Sequence, residues 1–290
     1  MDLKKYELLA SVAETGNFTI SAERLGYTQS GVSHIIKGLE DEIGFPLFVR
    51  TRRGVSLTEN GKKIVPLIRQ LLSDNSRLEQ TISALHGLNT GSITIGTYSS
   101  IAINWLPKIM FEFQKDFPGI DIHMKEGGID EIESWIEYNN VDFGFLSKRD
   151  TQKFDWVPLD EDPLMAILPK GSPVPENGSY PISAFHNQPF VMSAQGIDHD
   201  VHLALEKANV TPYIRFSSTD DHAIISMVAN RLGISILPNL IIQGMQSNIT
   251  AILLEPYSYR SLGIGIKSIK NISPAAKKFL QYTKRIVENK

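Results

Sequence analysis

The spacing of apolar residues changes once, near residue 90, and that change divides the chain. Up to residue 89 the apolar positions mostly recur at helical intervals of three and four, and β-branched runs are short. From Gly91 onward, apolar runs at 93–95, 141–146, 164–168 and 234–237 alternate with helical stretches, a pattern of βαβ units and an α/β domain. Charge divides at the same place. Residues 1–90 carry 11 Lys/Arg against 10 Asp/Glu, net +1, whereas residues 91–290 carry 18 against 22, net −4. The whole chain of 290 residues is at −3, so bulk charge does not hold it on nucleic acid and any such contact is a local patch at the mildly basic end. With 42% hydrophobic and 21% charged residues, the chain is long and apolar enough to bury the cores of two domains. Cysteine is absent, which excludes disulfides, thiolate metal sites, cysteine nucleophiles and iron–sulfur clusters. The first ten residues lack the apolar core and small-residue site of a signal peptide. No stretch approaches the roughly 18–20 apolar residues of a membrane span, so the expectation is a soluble cytoplasmic protein without a membrane partner.

Leu3, Tyr6, Leu9, Val12 and Ala13 fall on one face of a first helix that Gly16 ends. A second, short helix is expected from near Thr19, with Ala22 and Leu25 buried, stopping at Gly26-Tyr27. Thr28 is a natural N-cap for a third helix over 29–43, on which Val32, Ile35, Ile36 and Leu39 form the inward stripe. Helix, tight glycine turn, helix is the helix-turn-helix layout. The outward face of the third helix carries Gln29, Ser30, Ser33, His34 and Lys37, clustered with Thr28 towards the end where a recognition helix meets base edges and phosphates. By itself this is equally a solvated helix face. Residues 48–57, Phe-Val-Arg-Thr-Arg-Arg-Gly-Val-Ser-Leu, then read as two short strands around a basic turn: a wing whose Arg50, Arg52 and Arg53 neutralise phosphates beside the groove. Clustered arginines also serve solubility, but a helix-turn-helix followed at once by a basic hairpin is the more specific pattern.

Thr58 can cap a fourth helix. Its positions Ile64, Ile68, Leu71, Asn75, Leu78, Ile82 and Leu85 are spaced 4, 3, 4, 3, 4, 3, a heptad seam suited to a helix–helix contact between subunits. The alternative is an amphipathic helix packed on its own domain. Asn75 on the seam fixes register at a cost in stability, and Pro66 is expected to kink the helix or displace its first turn.

Residues 1–62 resemble the winged helix-turn-helix of the LysR-type transcriptional regulators. The segments that carry the resemblance are Ala22-Glu23-Arg24-Leu25, Thr28-Gln29-Ser30-Gly31-Val32-Ser33, Leu39-Glu40, Gly44, Pro46-Leu47-Phe48, Arg50 and Leu57-Thr58-Glu59-Asn60-Gly61. Ser21 stands where the family commonly has Ala, and His34 where Arg is frequent, which weakens a phosphate or guanine contact at that point. The resemblance extends through residues 91–290 by Gly91-Ser92-Ile93-Thr94-Ile95-Gly96, Leu106-Pro107, Phe117-Pro118, Val141-Asp142-Phe143-Gly144 and Gly233-Ile234-Ser235-Ile236-Leu237-Pro238. It implies a winged helix-turn-helix over 1–58, a linker helix over 59–89 that pairs two subunits, and an effector domain over 90–290. That domain is implied to be similar to periplasmic binding proteins, with two α/β lobes crossed twice by the chain, lobe one at 91–163 and 268–290 and lobe two at 164–267. Carried onto this sequence, the cleft is lined by Ser99, Ser100, Ser147, Ser193, Gln195, Ser218 and Thr219. Ser99 and Ser100 also stand between a strand and an expected helix over 101–117, where hydroxyls and free N–H groups receive an anion, or simply cap the helix.

These residues are rich in hydroxyls and poor in fixed charge, so the effector is expected to be a small polar or anionic molecule held by hydrogen bonds. His199 and His202, with Asp198 and Asp200, and His222 after Asp220 and Asp221, are the densest metal-capable groups, but helix capping accounts for the carboxylates, and no metal is expected. No nucleophile elbow, P-loop or dinucleotide fingerprint is present, so neither a cofactor nor a catalytic residue is assigned. The expected function is an effector-responsive, double-stranded-DNA-binding transcriptional regulator acting as a homodimer. The family also implies a tetramer, and RNA polymerase is a further partner to consider. The alternative is a small-molecule-binding protein whose N-terminal part serves only dimerisation.

Overall fold

The computed structural model describes residues 2–51, 54–194, 199–244 and 248–288. The chain forms two compact units, residues 1–91 with 138–140, and residues 92–137 with 141–290.

The first unit contains α1 (Leu3–Thr15), α2 (Phe18–Leu25), α3 (Gln29–Ile43), β1 (Phe48–Thr51), β2 (Gly54–Leu57) and α4 (Glu59–Ala84). Asp2, Asn17 and Thr28 cap the first three helices with side-chain oxygens, and Gly16, Gly26 and Gly44 end them at φ 61°, 74° and 89°. Asn17 accepts from the amides of Thr19 and Ile20, which starts α2 at Phe18, one residue before the position expected. Leu8, Leu9, Val12, Ala22, Val32, Ile36 and Leu39 pack with Leu47, Val65 and Ile68. Leu25, expected inside, is 37% exposed, because Ser21 and Ala22 already supply the inward face of a two-turn helix.

The hairpin pairs Phe48 with Leu57 and Thr51 with Gly54. Glu40 ties it to α3, accepting from the amides of Leu47 at 2.6 Å and Phe48 at 3.0 Å. Thr58 accepts from the Gly61 amide at 2.9 Å and donates to the Pro46 carbonyl at 2.9 Å, fixing where α4 begins. That approach is so close that a Cβ on Gly61 would lie 2.2 Å from the Leu47 carbonyl oxygen. Gly61→Ala is therefore expected to cost about 1–3 kcal/mol, as overpacking against backbone does. Gly38→Ala, which meets nothing within 4 Å, should leave thermal unfolding unchanged or slightly raise its midpoint. The helix α4 runs through Pro66 from Glu59 to Ala84, so the proline neither ends it nor displaces its first turn. The cost is one missing donor, which the bonds on either side outweigh.

The second unit opens with β3 (Gly91–Thr97), α5 (Ser99–Asn104), α6 (Leu106–Asp116), β4 (Ile120–Glu126), α7 (Ile129–Glu137) and β5 (Phe143–Ser147). It continues through β6 (Asp155–Pro169), β7 (Ser179–Pro181), β8 (Pro189–Ser193), α8 (His199–Lys207), β9 (Tyr213–Ser218), α9 (Asp221–Ala229) and β10 (Ser235–Pro238). It closes with α10 (Asn239–Ile242), β11 (Ile249–Glu255), β12 (Tyr259–Ile266) and α11 (Pro274–Glu288). The single helix expected over 101–117 is two, broken at Trp105, because Pro107 enters the first turn of α6 without a backbone donor.

The strand order is β4-β3-β5-β12-β6-β11-β7, with β10 also beside β6. The 15-residue β6 belongs to both lobes: Asp155 to Pro163 pairs with β12, and Leu164 to Pro169 with β10 and β11. Because β12 also pairs with β5, residues 259–266 hydrogen-bond within lobe one, and the chain returns there near Ser258 and not at 267. Gly263 and Gly265 let Trp156 and Phe154 lie across β12, since a Cβ at either would come within 2.4 Å of those rings. Lobe one packs around Phe113, Phe143, Phe145 and Phe279. Lobe two alternates strand residues between two cores, Leu164, Ala166, Phe190 and Met192 on one side, Ile167 and Val191 on the other.

Asp142 joins β3 to the start of β5: its carboxylate accepts from the Thr94 amide at 2.7 Å and its own amide donates to the Thr94 carbonyl at 2.8 Å. Burial pushes this carboxyl up from 3.8 to about 6. A carboxyl raised in the folded state stabilises most below its unfolded pKa, and that contribution is lost as pH rises through the folded value. Asp142→Asn keeps the acceptor without the charge, so it should flatten the stability–pH curve between pH 3.8 and about 6 relative to the parent.

Candidate functional site

On α3 the Thr28 hydroxyl accepts from the Gly31 amide at 3.1 Å and lies 3.3 Å from Ser30 Oγ, which fixes the first turn. Gln29, Ser30, His34 and Lys37 are exposed and Ser33 is half-buried. Arg50, reaching from β1, donates to Ser33 Oγ at 3.3 Å, and its guanidinium lies 5.9 Å from the Phe18 ring centroid. The hairpin and the third helix thus present one polar, basic surface. Arg52 and Arg53 lie outside the described residues.

The seam of α4 divides by use. Ile68 is in the core of the first unit and Ile64 packs against it. Leu71 and Asn75 are half-buried, and Asn75 donates to Glu79 along the helix at 3.0 Å. Leu78, Ile82 and Leu85 are 59%, 53% and 82% exposed. These large apolar side chains thus lie exposed along the helix.

Between the lobes, the structure brings together some of the expected serines with residues that the sequence did not single out. Ser100 is buried and its Oγ accepts from Arg260 Nη2 at 2.9 Å. Arg260, opposite Asp162 in the β12–β6 register, forms a buried pair with it: Nε and Nη2 lie 2.9 and 2.8 Å from Oδ2, and each side chain is 6% exposed. Asp162 Oδ1 also accepts from the Leu240 amide at 2.9 Å, and Asn104 links the carbonyls of Ser100 and Leu240 at 2.8 and 2.9 Å. These bonds stitch α5 to α10 beside the strand crossing.

Ser147 is fully buried at the end of β5, with its Oγ 3.0 Å from the Tyr98 hydroxyl. From lobe two, Asp200 accepts from Ser147 Oγ at 2.6 Å. Burial, then the Asp200 charge, push the Tyr98 phenol up to about 12, against the nearby Arg260. Burial likewise raises the Asp221 carboxyl, again opposed by Arg260. Ser193 and Ser218 lie side by side at the ends of β8 and β9, and Ser218 Oγ accepts from the Asp220 amide at 3.1 Å. Ser99 and Thr219 are exposed, and Gln195 lies outside the described residues, as does Asp198. Among the described residues no group of three or more His, Cys, Asp or Glu is placed to hold a metal ion.

Two family models match this chain: residues 86–287 fit the LysR substrate binding domain, and residues 3–62 the bacterial regulatory helix-turn-helix protein of the lysR family. The chain belongs to the LysR family of transcriptional regulators. This LysR-type regulator is 29% identical over 289 residues to the uncharacterized HTH-type transcriptional regulator YvbU of Bacillus subtilis (strain 168), covering 99% of each chain. In fold it is similar to a full-length OxyR variant from Pseudomonas aeruginosa, at TM-score 0.77 and 18% identity over 99% of this chain and 95% of the other. It is also similar to full-length CbnR complexed with its target DNA, at TM-score 0.66 and 16% identity over 98% and 99%. The regulator couples a DNA-binding helix-turn-helix to an effector-binding domain. No described helix is long and apolar enough to cross a membrane.

Proposed function

We propose that the regulator works in the cytoplasm as a homodimer, and by pairing of dimers as a tetramer, that reads double-stranded DNA and answers a small polar or anionic effector. The observation that carries this reading is the Arg50–Ser33 bond, which makes hairpin and third helix one surface. Residues 1–58 dock with α3 in the major groove. Thr28, Gln29, Ser30, Ser33, His34 and Lys37 face bases and phosphates, and Arg50, with Arg52 and Arg53, neutralises the flanking backbone. Residues 59–89 pair two copies, with Leu71, Asn75, Leu78, Ile82 and Leu85 at the contact. In residues 90–290 the effector lies between the lobes near Ser99, Ser100, Ser147, Ser193, Gln195, Ser218 and Thr219, and it is released unchanged. It acts by binding one lobe arrangement more tightly than the other, which resets the spacing of the two wings, the bend of the DNA and the contact with RNA polymerase.

Pairing is tested by Leu78→Glu with Ile82→Glu, two substitutions at exposed positions of α4 that spare the core. Sedimentation should show a monomer, and DNA affinity should fall by about 10²-fold or more as the second wing loses its tether. A variant that stays dimeric contradicts pairing through α4.

A further inference from the structure

The hydroxyls of Tyr98 and Ser147 form a relay with a fixed direction. The Ser147 amide donates to the Tyr98 hydroxyl at 3.2 Å, and the single Ser147 hydroxyl proton is committed to Asp200 at 2.6 Å. The Tyr98 proton must then lie on the remaining contact, pointing at Ser147 Oγ across 3.0 Å. Two buried hydroxyls, at 9% and 0% exposure, are thereby aligned in series, Tyr98 donating to Ser147 and Ser147 to the carboxylate, and Arg260 lies 5.5 Å from the Tyr98 ring centroid. A hydroxyl that itself accepts a hydrogen bond is a stronger donor, and such a donor suits a carboxylate. The carboxylate that Ser147 meets belongs to the chain itself: Asp200 stands in the first turn of α8 on lobe two, whereas Ser147 ends β5 on lobe one. The Ser147–Asp200 hydrogen bond thus joins the two lobes.

We propose that Asp200 is a built-in occupant of the effector site, and that an effector bearing a carboxylate takes its place on the Ser147 hydroxyl, which Tyr98 supports from behind, exchanging the bridge between lobes for contacts to itself. This rests on the reading of the cleft as the effector site and specifies its ligand as a carboxylate. Displacement frees α8 from lobe one, and so gives the effector the differential affinity for two lobe arrangements that regulation requires.

The test is thermal unfolding of the full chain at pH 7 in sodium acetate against sodium chloride of equal ionic strength. Asp200→Ala should melt below the parent, and acetate at ten times its Kd should raise its midpoint by about 4 °C. The parent should respond less, because its tethered carboxylate competes at high effective concentration. Removing the donor as well, in Asp200→Ala with Ser147→Ala, should abolish the acetate effect. Asp200→Asn keeps the side-chain volume and should fall between the parent and the alanine variant, so the order survives if the alanine variant does not fold. Equal acetate shifts in all variants overturn the proposal. Failure of the underlying reading looks different: acetate rescue would persist, yet no carboxylate would alter DNA affinity. A small molecule that alters the DNA affinity of parent and Asp200→Ala alike, with no acetate rescue, keeps the effector cleft and removes Asp200 from it.

Discussion

Lys37→Ala combined with Arg50→Ala is expected to weaken binding to the operator by about a hundredfold and to reduce the slope of log affinity against log salt by about two. Each side chain is exposed, so its removal leaves the core of the first unit intact and the far-ultraviolet dichroism unchanged. Arg50 carries the larger share, because its bond to Ser33 holds the guanidinium at the junction of hairpin and helix, and a restrained guanidinium loses less entropy on meeting a phosphate. Ser33→Ala separates the two effects: it removes the restraint without a charge, so affinity should fall while the salt slope stays as it was. Unchanged affinity in the double variant would remove the proposed surface from DNA recognition.

Arg260→Met is expected to lower stability by about 3–5 kcal/mol, since it strands the Asp162 carboxylate in a buried site. For a domain of this size the melting midpoint would fall by about 10 °C. The complementary variant, Arg260→Met with Asp162→Leu, should recover most of the loss, because a buried ion pair repays little beyond its own desolvation. Recovery stays incomplete by about 1–3 kcal/mol, as the Leu240 amide and Ser100 hydroxyl lose partners. A double variant no more stable than the single one would show that Asp162 needs no countercharge. Both variants should also lose the response to effector, since Ser100, Asp162 and Leu240 together join the lobes beside the crossing strands.

Local structure was legible where one residue decides it. Thr28 and Thr58 as caps and Gly16 and Gly26 as stops follow from chemistry within four residues, and the described elements follow them, whereas the Asn17 cap, which starts α2 at Phe18, was not read. Pro107 carried the signal that splits the helix over 101–117, but the apolar spacing on either side masked it. Pro66 presented the same signal within α4 and there the helix continues, because packing of Val65 and Ile68 on the core outweighs one lost donor. Leu25 misled for a related reason: helical spacing names a face, and a two-turn helix beside a sharp turn need not bury all of it.

The cleft was legible only in part. Of the residues that the resemblance named, the structure buries Ser100 beside Arg260 and Ser147 beside Asp200, yet Arg260 and Asp162 lie 98 residues apart and meet only through the register of β12 on β6. An isolated arginine in an otherwise apolar strand was the available sign. Asp200 was visible as a helix-start carboxylate, and capping explained it fully until the lobe-one hydroxyl on its other side came into view.

The most direct measurement is a gel-shift titration of the purified full chain against the intergenic DNA beside its own coding region, at two salt concentrations and with unrelated competitor DNA. Tight, competitor-resistant binding that weakens linearly on a log–log salt plot is the predicted result, with specific affinity about 10³-fold or more above that for random sequence. Binding to that DNA no tighter than to the competitor, at both salts, would contradict recognition of this site by α3 and the hairpin, and would return the N-terminal unit to a role in dimerisation alone.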